Sequence, residues 1–244
     1  YTAHAESDIE DRIVLFDSWG LDARGLTLQY IRALKKYNCQ ILFLCENLNE
    51  KSSQKIREEL QSYAKSQVVF LKKDYTRCNK TQDIYKSILD FRPNKIFMHM
   101  SPWAVEAIAA LYAFPNVHKY QINLTDHAFW LGTGCSNTII EFRNYGNIIS
   151  QQQRGFNKKS IKVNPYYPII DDSEKQPLPE KNDGELVILT GGAYYKMYGR
   201  NGYFFDLIIK LLENHQRTTI WIAGNGNDTI IKQRLHFYIN SGRV

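Results

Sequence analysis

The chain is poor in cysteine. Its 244 residues include four, Cys39, Cys45, Cys78 and Cys135, and no two are spaced as CxxC. That spacing removes the zinc ribbons and the dithiol redox motif. Cys45 sits inside an apolar run, where a small buried thiol is the ordinary reading, and so sparse a set fits a reducing compartment. No apolar run approaches the ~20 residues that span a bilayer. The opening "YTAHAESDIEDR" lacks the basic patch and apolar core of a secretory signal, although a leader removed earlier would leave no trace. A cytoplasmic location is expected. Neither GxxxxGK[ST] nor a GxGxxG behind a strand occurs, which takes away the Walker loop and the dinucleotide fingerprint. The net charge of +6 is spread along the chain, with Lys-Lys pairs at 35–36, 72–73 and 158–159. With no helix-turn-helix, RNA-binding or zinc-finger pattern, nucleic acid is not an expected partner.

What is present is alternation. Short apolar runs at 12–16, 40–46, 67–71, 95–100 and 118–124 read as strands. Between them, apolar residues recur at helical spacing: Leu26, Tyr30, Ile31 and Leu34; Ile56, Leu60, Tyr63 and Ala64; Ile84, Ile88 and Leu89; Val105, Ile108, Ala109 and Tyr112. Ser101 and Pro102 read as the N-cap and first position of the last of these helices. Continuous apolar strands alternating with amphipathic helices imply a parallel sheet covered on both faces, a doubly wound α/β domain.

The texture then breaks. Residues 164–185 carry Pro165, Pro168, Pro177 and Pro179 among charges, without helical or strand period, as an interdomain crossing does. Alternation resumes with strands at 185–190 and 218–224 and helices over 203–213 and from 228. The expected organisation is a domain at 1–164, a linker at 165–184 and a second α/β unit at 185–244. Two βα repeats are few for a doubly wound domain, so the reading expects this second domain to be incomplete.

One stretch concentrates unusual chemistry, "LVILTGGAYYKMYGRNGYFF" at 186–205. In an open α/β sheet ligands bind past the carboxyl ends of the strands. Gly191 and Gly192 would let backbone amides approach a ligand closely. A helix beginning near Asn201 and Gly202 would aim free N–H groups at the same crevice. Lys196 and Arg200 suit a diphosphate, and Tyr194 or Tyr195 could stack on a ligand. The next strand ends in Gly224-Asn225-Gly226, a second small-residue loop before a helix. The plainer alternative is a common Gly-Gly turn with surface cations.

Taken together, "DSWGLDARGLTLQYIRAL" (17–34), "TDHAFWLG" (125–132), "NIISQQQRGF" (147–156), "VNPYYP" (163–168), "TGGAYYKMYG" (190–199) and "IAGNGN" (222–227) resemble a glycosyltransferase of the GT-B type, bacterial and similar to families 1 and 4. The resemblance covers most of the chain and rests on the order and spacing of individually loose motifs. It implies two Rossmann-like domains clasping a nucleotide-diphosphate sugar, with the donor mainly on the C-terminal one and the acceptor mainly on the N-terminal one. By it, Gly191, Gly192, Lys196 and Arg200 face the donor diphosphate, Gly224 and Gly226 lie near the donor, and Gly20 and Gly25 belong to the N-domain loop facing the diphosphate. His127 stands where many members have a histidine facing the sugar, as general base in some inverting members. Asp126 would orient it or act as base.

The chemistry is consistent with these roles. The leaving diphosphate gains negative charge, which cations and backbone N–H groups stabilise without a metal, so no metal or cofactor is expected. A histidine suits removal of an acceptor hydroxyl proton. The retaining Glu-x7-Glu motif would fall beyond residue 244. The acceptor would be a glycan, a lipid-linked saccharide or a protein, in bacterial surface glycoconjugate synthesis. Arg32, Lys35 and Lys36 are a thin basis for peripheral membrane contact. Two alternatives keep the same residues: a nucleotide-sugar epimerase, and a non-catalytic nucleotide- or carbohydrate-binding partner subunit. His99 and His118, within or beside strands, read as structural. Phe129 and Trp130 could line an acceptor pocket but read more readily as core. Arg143 and Arg154, near the crossing, could reach the cleft but read as solvated or structural.

Overall fold

A computed structural model describes residues 10–20, 26–46, 53–71, 76–165, 180–181 and 183–244. The chain divides into two compact units, Tyr1–Asp172 and Ser173–Val244. The proline-rich stretch over 166–179 lies outside the described residues.

In unit 1, strands β1 (Arg12–Asp17), β2 (Gln40–Cys45), β3 (Ser66–Phe70), β4 (Lys95–His99), β5 (His118–Ile122), β6 (Thr138–Glu141) and β7 (Ile161–Val163) form one sheet. Its order is β3-β2-β1-β4-β5-β6-β7, and every pair is parallel. The strands alternate with helices α1 (Leu26–Lys36), α2 (Gln54–Gln61), α3 (Arg77–Phe91), α4 (Val105–Tyr112) and α5 (Asn144–Gln152). Both sheet faces are covered, because successive side chains point to opposite sides. Val14, Phe16, Leu42, Leu44, Ile96 and Met98 pack on one side, and Ile13, Leu15, Ile41 and Phe43 on the other. The order reverses between β1 and β4, the switch point at which doubly wound sheets open a crevice.

Unit 2 holds β8 (Leu186–Ala193), α6 (Tyr203–Asn214), β9 (Thr218–Asn225) and α7 (Thr229–Asn240), with β8 and β9 paired in parallel. Its core is built from Met197, Phe205, Ile208, Leu212, Ile220, Ile231 and Leu235. No helix of the described residues is long and apolar enough to cross a membrane.

Three expectations are corrected. Helix α4 begins at Val105, not at Pro102, because Ser101–Ala104 closes a turn with Ala104 N–H donating to the Ser101 carbonyl at 3.2 Å. Its buried residues are Ala107, Ala110 and Leu111, whereas Val105 and Tyr112 are about half exposed; small side chains let the helix approach the sheet on that side. Leu89 on α3 is likewise half exposed. Third, strands β6 and β7, absent from the apolar-run reading, extend the sheet beyond β5.

Candidate functional site

The glycine pair at 191–192 is not a turn after a strand. It is the end of the strand itself: β8 runs to Ala193, with Gly191 opposite Ala223, Gly192 opposite Gly224 and Ala193 opposite Asn225. A Cβ on Gly224 would lie 2.1 Å from the Gly192 carbonyl oxygen and 2.7 Å from the Tyr194 ring. Nothing larger than hydrogen fits there, so glycine is what allows the two strand ends to close together. From β8 the chain enters a short turn at Tyr194–Met197, in which Met197 is buried while Tyr195 and Lys196 are exposed. The Tyr198 hydroxyl donates to the Asn227 carbonyl, and a Cβ on Gly226 would lie 3.6 Å from the Tyr194 Cβ. Loops 194–202 and 224–228 are thus tied to each other at the carboxyl edge of the two strands.

Arg200, Asn201 and Gly202 follow with φ of 52°, 55° and 83°. Two non-glycine residues in succession in the left-handed region are uncommon. They turn the chain into α6, whose N-cap is Gly202. Arg200 is exposed. The donor residues expected from sequence, Gly191, Gly192, Lys196, Arg200, Gly224 and Gly226, therefore all belong to one edge of unit 2.

Unit 1 carries its own cleft, of about 490 Å³, lined among others by Asp126, His127, Phe129, Trp130, Tyr145 and Arg154. The turn after β5 presents the first two. Arg143 grips the Asp126 carboxylate with Nε at 2.6 Å and Nη2 at 2.9 Å. That guanidinium holds the carboxyl below its usual range. Its contact with the His127 ring is longer, 3.4 Å to Nδ1. The His127 side chain is 72% exposed. Of the two aromatics beside it, Phe129 is 83% exposed while Trp130 is buried, so only Trp130 takes the core role.

Beneath this turn lies a polar network that sequence reading missed. Glu141, fully buried at the end of β6, accepts from Asn123 Nδ2 at 2.9 Å with both oxygens and from Ser150 Oγ at 2.5 Å. Asn123 Oδ1 accepts the Thr125 amide at 3.1 Å. Arg154 Nη1 lies 3.6 Å from Glu141, and its Nη2 donates to the carbonyls of Asp126 at 2.9 Å and Ala128 at 3.1 Å. A Cβ on Gly146 would fall 2.2 Å from Glu141 Oε2, so that glycine admits the carboxylate.

A second buried cluster sits at the β1/β4 switch point. Asp17, at the end of β1, accepts from the Trp19 amide and the Thr27 hydroxyl, both at 2.8 Å, and lies 3.2 Å from His99 Nδ1. Burial pushes its carboxyl up, but the bond to His99, with the Trp19 amide and Thr27, more than offsets this and leaves it lowered. His99 is therefore a buried partner of Asp17, and His118 bonds Thr138 Oγ1 at 2.9 Å. Gly20, in the loop that Asp17 anchors, has φ 56°; Gly25 lies outside the described residues. Arg32 and Lys35 are both engaged by Glu59. Among the described residues, no group of three or more His, Cys, Asp or Glu is placed to hold a metal.

The fold is that of GT-B proteins, with Rossmann-like α/β units. No family model matches the chain, and no curated protein matches it. Solved structures do. The Neisseria meningitidis UDP-GlcNAc 2-epimerase bound to UDP-GlcNAc is similar with a TM-score of 0.58 at 13% identity, over 92% of this chain and 68% of that one. The lipopolysaccharide outer core galactosyltransferase WaaB matches with 0.57 at 14% identity, over 95% of this chain and 66% of its own. A glycosyltransferase from Rickettsia africae matches with 0.62 at 11% identity, over 95% and 65%. The chain thus spans about two thirds of the length of each.

Proposed function

We propose that this chain belongs to a glycosyltransferase that takes a sugar from a nucleotide-diphosphate donor and passes it to a glycan, lipid-linked or protein acceptor. One observation carries the reading: the paired glycine ends of β8 and β9, closed too tightly for any Cβ at Gly224, lead directly past Lys196 and Arg200 into the start of α6. Backbone amides, a helix N-terminus and two exposed cations at the carboxyl ends of parallel strands are suited to a diphosphate. They would stabilise the charge that develops on the leaving group without a metal ion. In unit 1, His127 stands exposed in a cleft, next to a carboxylate, where it can take a proton from an acceptor hydroxyl.

Both activities occur among the structural neighbours, so epimerisation is the second reading. An epimerase needs groups that give and take protons at the sugar, whereas the Asp126 carboxylate is taken up by two hydrogen bonds from Arg143 and Asp17 and Glu141 are buried and engaged.

The test is a thermal-shift and calorimetric screen of the full-length protein against UDP, GDP, CMP and ADP sugars, with Lys196→Ala alongside. The expected result is stabilisation of wild type by one nucleotide, about 2.7 kcal/mol at a hundredfold excess over Kd, and its loss in Lys196→Ala. Product analysis with that donor then separates transfer from epimerisation. If no nucleotide stabilises the wild type, the proposal is wrong and the glycine ends serve only strand packing.

A further inference from the structure

The turn that presents Asp126 and His127 is held from below by Asn123 Oδ1, which accepts the Thr125 amide at 3.1 Å, and above all by Arg154. Arg154 Nη2 faces three carbonyls of that turn, those of Thr125 at 3.4 Å, Asp126 at 2.9 Å and Ala128 at 3.1 Å. Three carbonyls converging on one guanidinium nitrogen amount to a cation site that the chain fills with its own arginine. The other end of the guanidinium is fixed as well. Nη1 donates to Ser150 Oγ at 3.1 Å and faces the Glu141 carboxylate at 3.6 Å, and the guanidinium carbon sits 5.3 Å from the centre of the Trp130 ring. The Arg154 side chain is 6% exposed and that of Glu141 is 0% exposed.

A buried guanidinium is costly unless it is paired and bonded, and this one is both. Because its donors draw the carbonyls of 125–128 inward, the side chains of Asp126 and His127 are left on the cleft side. Arg143, 64% exposed, holds Asp126 from outside. Among the described residues, Arg154 is the side chain that binds the carbonyls of the turn, while Asn123 takes the Thr125 amide.

Resting on the reading of the chain as a nucleotide-sugar enzyme, we propose that Arg154 is a positioning residue of its site, with Glu141 as its counter-charge. Arg154 fixes the 125–128 turn so that His127 meets the reacting hydroxyl, and it touches no reacting atom itself. A displacement of about 1 Å in such a group costs on the order of a hundredfold in turnover.

Two variants test this in the full-length protein. Arg154→Lys keeps the charge and loses the planar fork. The double variant Arg154→Met with Glu141→Gln removes both charges together, so that no buried ion is left unpaired. Nucleotide release is followed with UDP-glucose, UDP-N-acetylglucosamine, GDP-mannose, ADP-glucose and CMP-N-acetylneuraminate, beside thermal melts and amide exchange over 125–128. The expected result is that the double variant melts near wild type while kcat falls about tenfold to a hundredfold. Donor KM stays within about twofold, and exchange rises at 125–128 alone. If either folded variant keeps kcat within about threefold of wild type, the positioning role is overturned and the network is only packing. If the wild type neither binds nor turns over any of the five donors, the functional reading fails first and this role falls with it. Exchange at 125–128 then still reports whether Arg154 holds the turn.

Discussion

At the scale of single residues, Gly224 offers the sharpest distinction between shape and composition. The unit 2 loops hold several glycines, and they are not equivalent. A Cβ at Gly224 meets backbone at 2.1 Å, whereas a Cβ at Gly199 meets nothing within 4 Å. Backbone cannot swing aside as a side-chain tip can, so Gly224→Ala must separate the ends of β8 and β9. The expected cost is about 2–4 kcal/mol, read as a lower urea midpoint, with loss of any nucleotide stabilisation. Gly199→Ala is expected to be neutral or to stabilise by about 0.4–1 kcal/mol, since its φ of −71° suits any residue. Equal effects from the two substitutions would show that the strand ends are not closed in solution.

At the scale of elements, Asp17 is the stitch of unit 1. It joins the end of β1 to the start of α1 through Thr27, to the intervening loop through Trp19, and to the end of β4 through His99. Its carboxyl is lowered in the fold. A lowered acid contributes stability above its unfolded value, ~3.9 for aspartate, and loses it as pH falls through the folded value. Asp17→Asn should therefore cost about 2–3 kcal/mol near neutrality, and the gap to wild type should shrink below about pH 4. Urea melts from pH 3 to pH 7 measure it; a gap that does not change with pH would mean that Asp17 acts by shape and neutral hydrogen bonds alone.

The elements also mark what could be read without a structure. Strands such as β1 and β2 were legible because a run of four or five apolar residues is a local signal, and α1 because Leu26, Tyr30, Ile31 and Leu34 repeat at helical spacing. "TIIE" and "IKV" carry no period; pairing beside β5 is what makes them β6 and β7. On α4 nearly every side chain is apolar, so spacing could not choose its buried face. His127 was legible as a polar residue at a strand end. The network beneath it was not, since Asn123 and Glu141 are 18 positions apart and Arg154 and the Asp126 carbonyl 28, and nothing local pairs them.

At the scale of the whole molecule, the two units carry separate burdens. Unit 1 has two core faces around a seven-stranded sheet, whereas unit 2 packs a two-stranded sheet against α6 and α7. A small core gives a small margin, and unit 2 is where the proposed donor loops are. Leu212, fully buried there, is a direct probe. Leu212→Ala should cost about 2–5 kcal/mol, and its effect should be local. Amide exchange should accelerate in β8 and β9 while β1 and β4 keep their protection, because the lost contacts belong to one core. A nucleotide bound at the 191–202 edge should then return part of that protection, since a ligand held only by the folded form stabilises by RT ln(1 + [L]/Kd). Acceleration spread equally over β1, β4, β8 and β9 would instead mean that the chain opens as one cooperative body. Recovery of protection in β1 and β4 alone would place the nucleotide in unit 1 and remove the basis for reading β8 and β9 as its cradle.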